Sequence, residues 1–133
     1  LTGGADAPAG MLGGGAAFVA PTILSGVAPD SELFAEEVFG PVLGITVFDD
    51  EDEAIALANR SRYGLAASVF TDDLRRAHRV SARLVAGTVT INGVDAVDVT
   101  VPFGGFKQSG FGRDLSLHAL DKYTGLTTRW FEA

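Results

Sequence analysis

The chain has 133 residues, 47% of them hydrophobic and 20% charged, which is ordinary for a globular protein and leaves room for one compact domain or one lobe of a larger one. Its formal net charge of -7 repels phosphate backbones, so nucleic acid is not an expected partner, and no apolar run reaches the roughly 18 residues of a membrane span. It has no cysteine, which excludes disulfides, a thiolate nucleophile and a zinc–thiolate site within these residues.

Leu1 is followed by neither a basic n-region nor an apolar h-region, so no secretory signal is visible and a cytoplasmic location is expected. A first residue other than Met points to a truncated or processed chain. Residues 1–16, with Gly3-Gly4 and Gly13-Gly14-Gly15, read as a flexible loop. Residues 18–24 can hold a strand, which Pro21 confines to an edge or a bend. Asp30 or Ser31 caps a short helical turn running to Glu37, and Gly40-Pro41 breaks it.

Residues 42–48 are rich in β-formers. The acidic run Asp49-Asp50-Glu51-Asp52-Glu53 then reads as a helix N-terminus, where the dipole favours carboxylates, because consecutive residues cannot converge on one metal ion. The helix extends over 50–59 with Ala54, Ile55 and Ala58 on one face. A second strand covers 65–70. Asp72 or Asp73 caps the next helix, which carries Leu74, Ala77, Val80, Ser81 and Leu84, and a third strand covers 88–92. This order makes an α/β fold, a βαβαβ arrangement with a mostly parallel sheet. Residues 93–101 have no clean period and form a loop, continued by Pro102-Phe103-Gly104-Gly105. A helix over 114–122 and a terminal strand over 124–131 complete the chain. No linker composition appears, so one continuous structural unit is expected.

Several familiar motifs fail. Gly105-Phe106-Lys107-Gln108-Ser109-Gly110 has the outer glycine spacing of a phosphate loop, but Phe111 stands where that loop needs Lys. No G-x-G-x-x-G and no G-x-S-x-G occurs. His78 and His118 read as helix residues rather than bases, and Asn59-Arg60-Ser61 as a chance sequon. Two loops remain. In Glu36-Glu37-Val38-Phe39-Gly40-Pro41-Val42, a carboxylate two residues before an aromatic could accept hydrogen bonds from sugar hydroxyls while the ring packs on a heterocycle; the alternative is a helix end that buries its Phe. Pro102-Phe103-Gly104-Gly105-Phe106-Lys107 reads on composition as a tight loop.

Taken together these segments resemble the aldehyde dehydrogenase family. Glu36 to Val42 resembles its E-E-[IV]-F-G-P-V segment, followed in order by Asn59-x-x-x-Tyr63-Gly64-Leu65-Ala66-Ala67-x-Val69-Phe70-Thr71, Ala86-Gly87-Thr88-Val89-x-Ile91-Asn92 and Pro102-Phe103-Gly104-Gly105-Phe106-Lys107-x-Ser109-Gly110-x-Gly112-Arg113. Ala16-Ala17-Phe18-Val19-Ala20-Pro21-Thr22 resembles a further segment whose leading Gly is replaced. The resemblance covers essentially the whole chain and matches roughly the last quarter of a family member.

The family oxidises aldehydes to acids with NAD or NADP. A cysteine thiolate forms a thiohemiacetal, hydride passes to the nicotinamide, and a glutamate-activated water hydrolyses the thioester. The resemblance implies that residues 1–123 belong to the catalytic domain and 124–133 form the oligomerisation strand. It implies that the Rossmann cofactor domain and catalytic cysteine lie upstream, in a missing N-terminal part, so that these residues hold no catalytic group and are inactive alone. Glu37 resembles the carboxylate that holds the nicotinamide ribose, and Phe39 the ring on the nicotinamide side. Phe103 resembles the aromatic at the substrate mouth, and the loop with Val97 and Asp98 the funnel wall.

There are departures. Val94 and Val97 replace aromatics, which widens the pocket, and Gly125 replaces a Glu expected in a subunit-bridging ion pair. The stretch from Gln108 to Lys122 is similar to γ-glutamyl-γ-aminobutyraldehyde and other aminoaldehyde dehydrogenases. Asp95 and Asp98 could attract a cationic amine, or simply face water. A homo-oligomer, a small-molecule aldehyde as partner, no metal and no membrane are the resulting expectations. A non-catalytic assembly or small-metabolite-binding module of the same fold is the alternative.

Overall fold

The first strand begins immediately after Pro21, whose ring cannot donate to a ladder. In the computed structural model, which describes residues 2–3, 19–94 and 97–133, β1 is Thr22–Ser25 and pairs in parallel with β2, Val42–Ile45. Most of the predicted N-terminal loop, the Ala16-Ala17-Phe18 stretch and Asp95 lie outside the described residues. Between the two strands Ser31 caps α1, Glu32–Ala35: its Oγ accepts from the Phe34 N–H and donates to the Ala28 carbonyl at 2.6 Å. One face of the ladder is covered locally, since a Cβ at Gly44 would stand 3.3 Å from Val27. The register puts Ile23, Leu43 and Ile45 on the other face, and all three are exposed.

α2, Glu51–Arg60, starts at the acidic run as expected. Asp50 Oδ1 accepts from the Glu53 N–H at 2.8 Å and Glu53 Oε2 accepts from the Asp49 N–H at 2.7 Å, so that two side chains satisfy main-chain donors at the helix start, with Glu51, Asp52 and Glu53 in the first turn. The expectation of one continuous unit is corrected. The chain divides into residues 1–57 and 58–133, and the division falls inside α2, where no linker composition can announce it.

In the second unit Asp73 caps α3, Leu74–Ser81, by accepting from the Arg75 and Arg76 N–H groups. α3 is the crossover between β4, Ala66–Val69, and β5, Thr88–Ile91, which pair in parallel from Ala66↔Thr88 to Val69↔Ile91. A short antiparallel ladder joins β3, Tyr63–Gly64, to β6, Phe106–Lys107. The α/β reading holds, but the described strands form three two-stranded ladders in place of a single mostly parallel sheet. β3 and β6 are too short to show a period, so sequence reading passed over them.

The predicted helix over 114–122 is shortened to a 3-10 helix, Leu117–Lys122. Asp114 is instead bridged to Phe103, and Leu115 and Ser116 take positive φ values of 60° and 52°, which stops a helix from starting earlier. Residues 124–131 carry no ladder: a strand needs a partner, and none pairs with them among the described residues. Ile55 and Ala77, both on predicted apolar faces, are the buried hydrophobic side chains among the described residues. Both histidines lie in helices as expected, but Ala77 and not His78 carries the buried face of α3. Among the described residues no helix is long and apolar enough to cross a membrane.

Candidate functional site

In the unit formed by residues 1–57, the stretch from Glu37 to Pro41 is folded by its own main chain. The Gly40 N–H donates to the Val38 carbonyl at 2.9 Å, closing a three-residue turn centred on Phe39, and the Val42 N–H donates to Gly40 at 2.8 Å. The Pro41 carbonyl accepts from the Thr22 N–H, which ties the loop to β1. The turn projects the Phe39 ring outward, 98% exposed, so the alternative of a buried Phe at a helix end is set aside. Glu37, two residues earlier, is exposed and makes no hydrogen bond among the described residues. An exposed carboxylate acceptor beside an uncovered ring is a pairing that fits the hydroxyl donors of a sugar and the face of a heterocycle, as in a nicotinamide nucleotide.

In the unit formed by residues 58–133, a cavity of about 420 Å³ opens beside the β4–β5 ladder. Ala66, Ser68, Thr88 and Thr90 share one face of the ladder by register and line it, together with Val94, Val97 and Phe103 from the loops that follow β5. Two residues expected at the substrate funnel, Val97 and Phe103, thus border a common space. Phe103 is fixed through its main chain: it donates to the Asp114 carbonyl at 2.8 Å and accepts from the Asp114 N–H at 2.7 Å. The Asp114 carboxylate is held in turn by Lys122 at 2.7 Å. Arg113 braces the same loop, donating from Nη1 to the carbonyls of Gly105 at 3.0 Å and Gly112 at 2.6 Å, with its guanidinium 4.7 Å from the centre of the Phe106 ring. Lys107 Nζ donates to the carbonyls of Asn59 and Ser61, both at 2.9 Å, placing a cation at a helix C-terminus.

Asp98 does not line the cavity. Its Oδ1 accepts from the Thr100 hydroxyl at 2.6 Å and the Thr100 N–H at 2.7 Å. Those two bonds, the hydroxyl first, hold its carboxyl below the usual aspartate range. A depressed folded-state pKa makes the turn's contribution present above the ordinary aspartate pKa and lost as pH falls through the lowered value. A carboxyl titration followed by NMR should show an Asp98 midpoint below that of an unstructured aspartate. Thr100→Val, which removes the stronger donor, should move it back up; no movement would mean the hydroxyl bond is not formed.

Asn92 closes one of the family-like segments, but its role is not legible there; it directly follows β5. Its backbone is left-handed, φ 53°, its Oδ1 accepts from the Thr71 N–H at 2.8 Å and its Nδ2 donates to the Thr71 carbonyl at 3.0 Å. The signal was present as Asn92-Gly93, a dipeptide suited to turns with positive φ. Asn59, which opens a family-like segment, bridges two main-chain groups: its amide accepts from the Val85 N–H and donates to the Arg83 carbonyl. Among the described residues no group of three His, Cys, Asp or Glu side chains could hold a metal ion.

Comparison with known proteins adds a family. The model of the aldehyde dehydrogenase family matches residues 1–129. The NADP/NAD-dependent aldehyde dehydrogenase PuuC of Escherichia coli (strain K12) is 56% identical over 121 residues, covering 91% of this chain and 24% of that protein. An aminoacetaldehyde dehydrogenase of Pseudomonas aeruginosa is 56% identical over 117 residues, covering 87% of this chain and 24% of its own length. Among solved structures, a mutant P. syringae AldA indole-3-acetaldehyde dehydrogenase in complex with NAD+ and IAA superposes with a TM-score of 0.82 at 52% identity, covering 87% of this chain and 23% of that one. The chain therefore spans about a quarter of the length of the relatives it matches.

Proposed function

The chain belongs to the aldehyde dehydrogenase family, and from that premise we propose that it is part of an NAD- or NADP-dependent enzyme that oxidises an aldehyde to the carboxylic acid. The observation that supports this reading best is the turn that presents Phe39 uncovered, two residues after the exposed Glu37 carboxylate. Glu37 accepts hydrogen bonds from the nicotinamide ribose, and Phe39 packs on the nicotinamide side of the cofactor. Bound NAD or NADP supplies the hydride acceptor. The contribution of these two side chains is orientation, because hydride transfer tolerates little misplacement of the ring. Phe103 and Val97 border the aldehyde in the second unit, and Asp98 follows Val97 directly in the chain. The aldehyde is an aminoaldehyde in this proposal; one of the relatives carries a name of that kind, the aminoacetaldehyde dehydrogenase.

The nucleophilic cysteine comes from polypeptide outside these residues, which contain none. The exposed Ile23, Leu43 and Ile45 face of the β1–β2 ladder supports a covering layer from the same source, since parallel strands are normally buried on both sides. Residues 124–133 act as the oligomerisation strand by adding to a neighbouring subunit's sheet; Leu126, Trp130 and Phe131 are fully or largely exposed in the single chain.

The test compares the 133-residue chain with the protein made from the longest reading frame that contains it, each supplied with NAD or NADP and an aminoaldehyde. Cofactor reduction should occur with the longer protein and be absent with the chain alone. Turnover by the isolated chain, or none by a folded longer protein that contains a cysteine, would overturn the proposal.

A further inference from the structure

We propose that Asn92 is a positioning residue of the substrate site, one that turns the chain at the end of β5 so that Val94 and Val97 line the cavity instead of continuing along the sheet. The inference rests on the reading of that cavity as part of an aldehyde site. A strand that simply continued past Ile91 would carry Val94 and Val97 away along the sheet at about 3.3 Å per residue. Three bonds prevent this. The Asn92 N–H donates to the Val69 carbonyl at 2.8 Å, completing the last rung of the β4–β5 ladder. Its side-chain amide then makes the next rung, accepting from the Thr71 N–H and donating to the Thr71 carbonyl. The side chain thus replaces the main chain of a further strand residue, and the backbone is released to turn.

The turn itself needs φ of 53°, a region that Asn adopts more readily than most side-chain-bearing residues. An amide is also the side chain that offers both a donor and an acceptor to one peptide group. The geometry after the turn agrees. A Cβ at Gly93 would stand 3.3 Å from the methyl carbon of Thr90, so the chain passes directly over the floor of the cavity. The far end of the wall is held separately, by the Ser116 N–H on the Val99 carbonyl at 2.8 Å and by the Phe103–Asp114 bridge. Asn92 therefore anchors the chain on the Val94 side of the cavity, as Val99 and Phe103 are anchored on the other. Through Thr71 it reaches α3 as well, because Thr71 Oγ1 accepts from the N–H of the capping residue Asp73.

Two measurements separate positioning from general stability. In the 133-residue chain, Asn92→Gly keeps the left-handed turn accessible and deletes both side-chain bonds, while Asn92→Asp keeps the acceptor and loses the donor. Hydrogen exchange of the protected wall amides at Val101 and Phe103 should speed up roughly tenfold in Asn92→Gly, the order expected for losing two hydrogen bonds to main chain. Asn92→Asp should fall between Asn92→Gly and the parent, and the Gln108 amide, bonded to the Arg62 carbonyl, should be unchanged. Exchange that rises equally at Gln108, or not at all in the wall, would overturn the proposal.

In the longer protein, Asn92→Gly should raise the aldehyde KM roughly tenfold while kcat changes less than about twofold, because the wall holds substrate without touching the reacting atoms. A fall in kcat at constant KM would count against it. If the longer parent protein oxidises no aldehyde, the functional reading fails on that result, and the exchange experiment still decides whether Asn92 positions the wall.

Discussion

Gly87→Ala should destabilise the chain by about 2 kcal/mol or more, the upper part of the range for forcing an extra carbon into a packed site. The reason is local and geometric. An alanine Cβ at position 87 would overlap the carbonyl oxygen of Gly104, and the carbonyl oxygen of Leu65 would lie 3.4 Å away. The nearest obstacle is main chain, which cannot rotate aside as a flexible side chain could. Gly87 cannot retreat either, because its N–H is bonded to the Gly64 carbonyl at 3.0 Å and the next N–H, of Thr88, to Leu65 at 3.1 Å. Gly64 and Gly105 crowd the same seam: a Cβ at Gly64 would stand 3.0 Å from the Val85 carbonyl oxygen, and one at Gly105 would stand 2.6 Å from Ser109 Cβ. The bare backbone at these positions is what lets the loop carrying Phe103 lie against the start of β5. Gly125→Ala is the control, since nothing stands within 4 Å of a Cβ there. It should change stability by less than about 0.5 kcal/mol. Urea unfolding of both variants gives the comparison, and equal midpoints would show that the seam is looser than the structure implies.

That seam also shows where sequence reading stops. Local signals were legible because they depend on a few neighbouring residues. Ser31 and Asp73, each one of two expected candidates, cap their helices, the acidic run opens α2, and Ile55 and Ala77 bury the faces that the helical period marks. The exposure of Phe39 was not legible, since the same residues permit a buried ring; a hydrogen bond between Gly40 and Val38 decides it. Leu115 at φ 60° contradicts its own preference and is held there by bonds from Asp114 to Phe103 and from Ser116 to Val99. Those partners are far away in sequence, so no local period records them. The break within α2 is hidden for the opposite reason: a helix that passes from one unit to the next looks the same as one that does not.

Glu37→Gln, made in the longer protein, should lower kcat by roughly a hundredfold while cofactor affinity falls much less, because misplacing a reactive group by about an ångström has that order of cost. Glutamine matches glutamate in length and keeps one carbonyl acceptor. It replaces the second acceptor oxygen by an NH2 donor and removes the charge that roughly doubles the strength of a hydrogen bond from a ribose hydroxyl. A sugar diol offering two donors would then meet a donor of the same kind. On the proposed reading the remaining polypeptide supplies the nucleotide's other contacts and would keep it bound, so the loss should appear in the placement of its nicotinamide end. Instability cannot imitate this result. Glu37 is exposed and without a hydrogen bond among the described residues, and an exposed substitution of this kind changes stability by less than about 0.5 kcal/mol. Phe39→Ala probes the same end of the cofactor by a different interaction and should also reduce kcat more than affinity, again without a stability change, because its ring is 98% exposed. Single-turnover measurement of hydride transfer, set beside a cofactor-binding titration, separates the two quantities. Hydride transfer at the parent rate in both variants would remove Glu37 and Phe39 from the cofactor site.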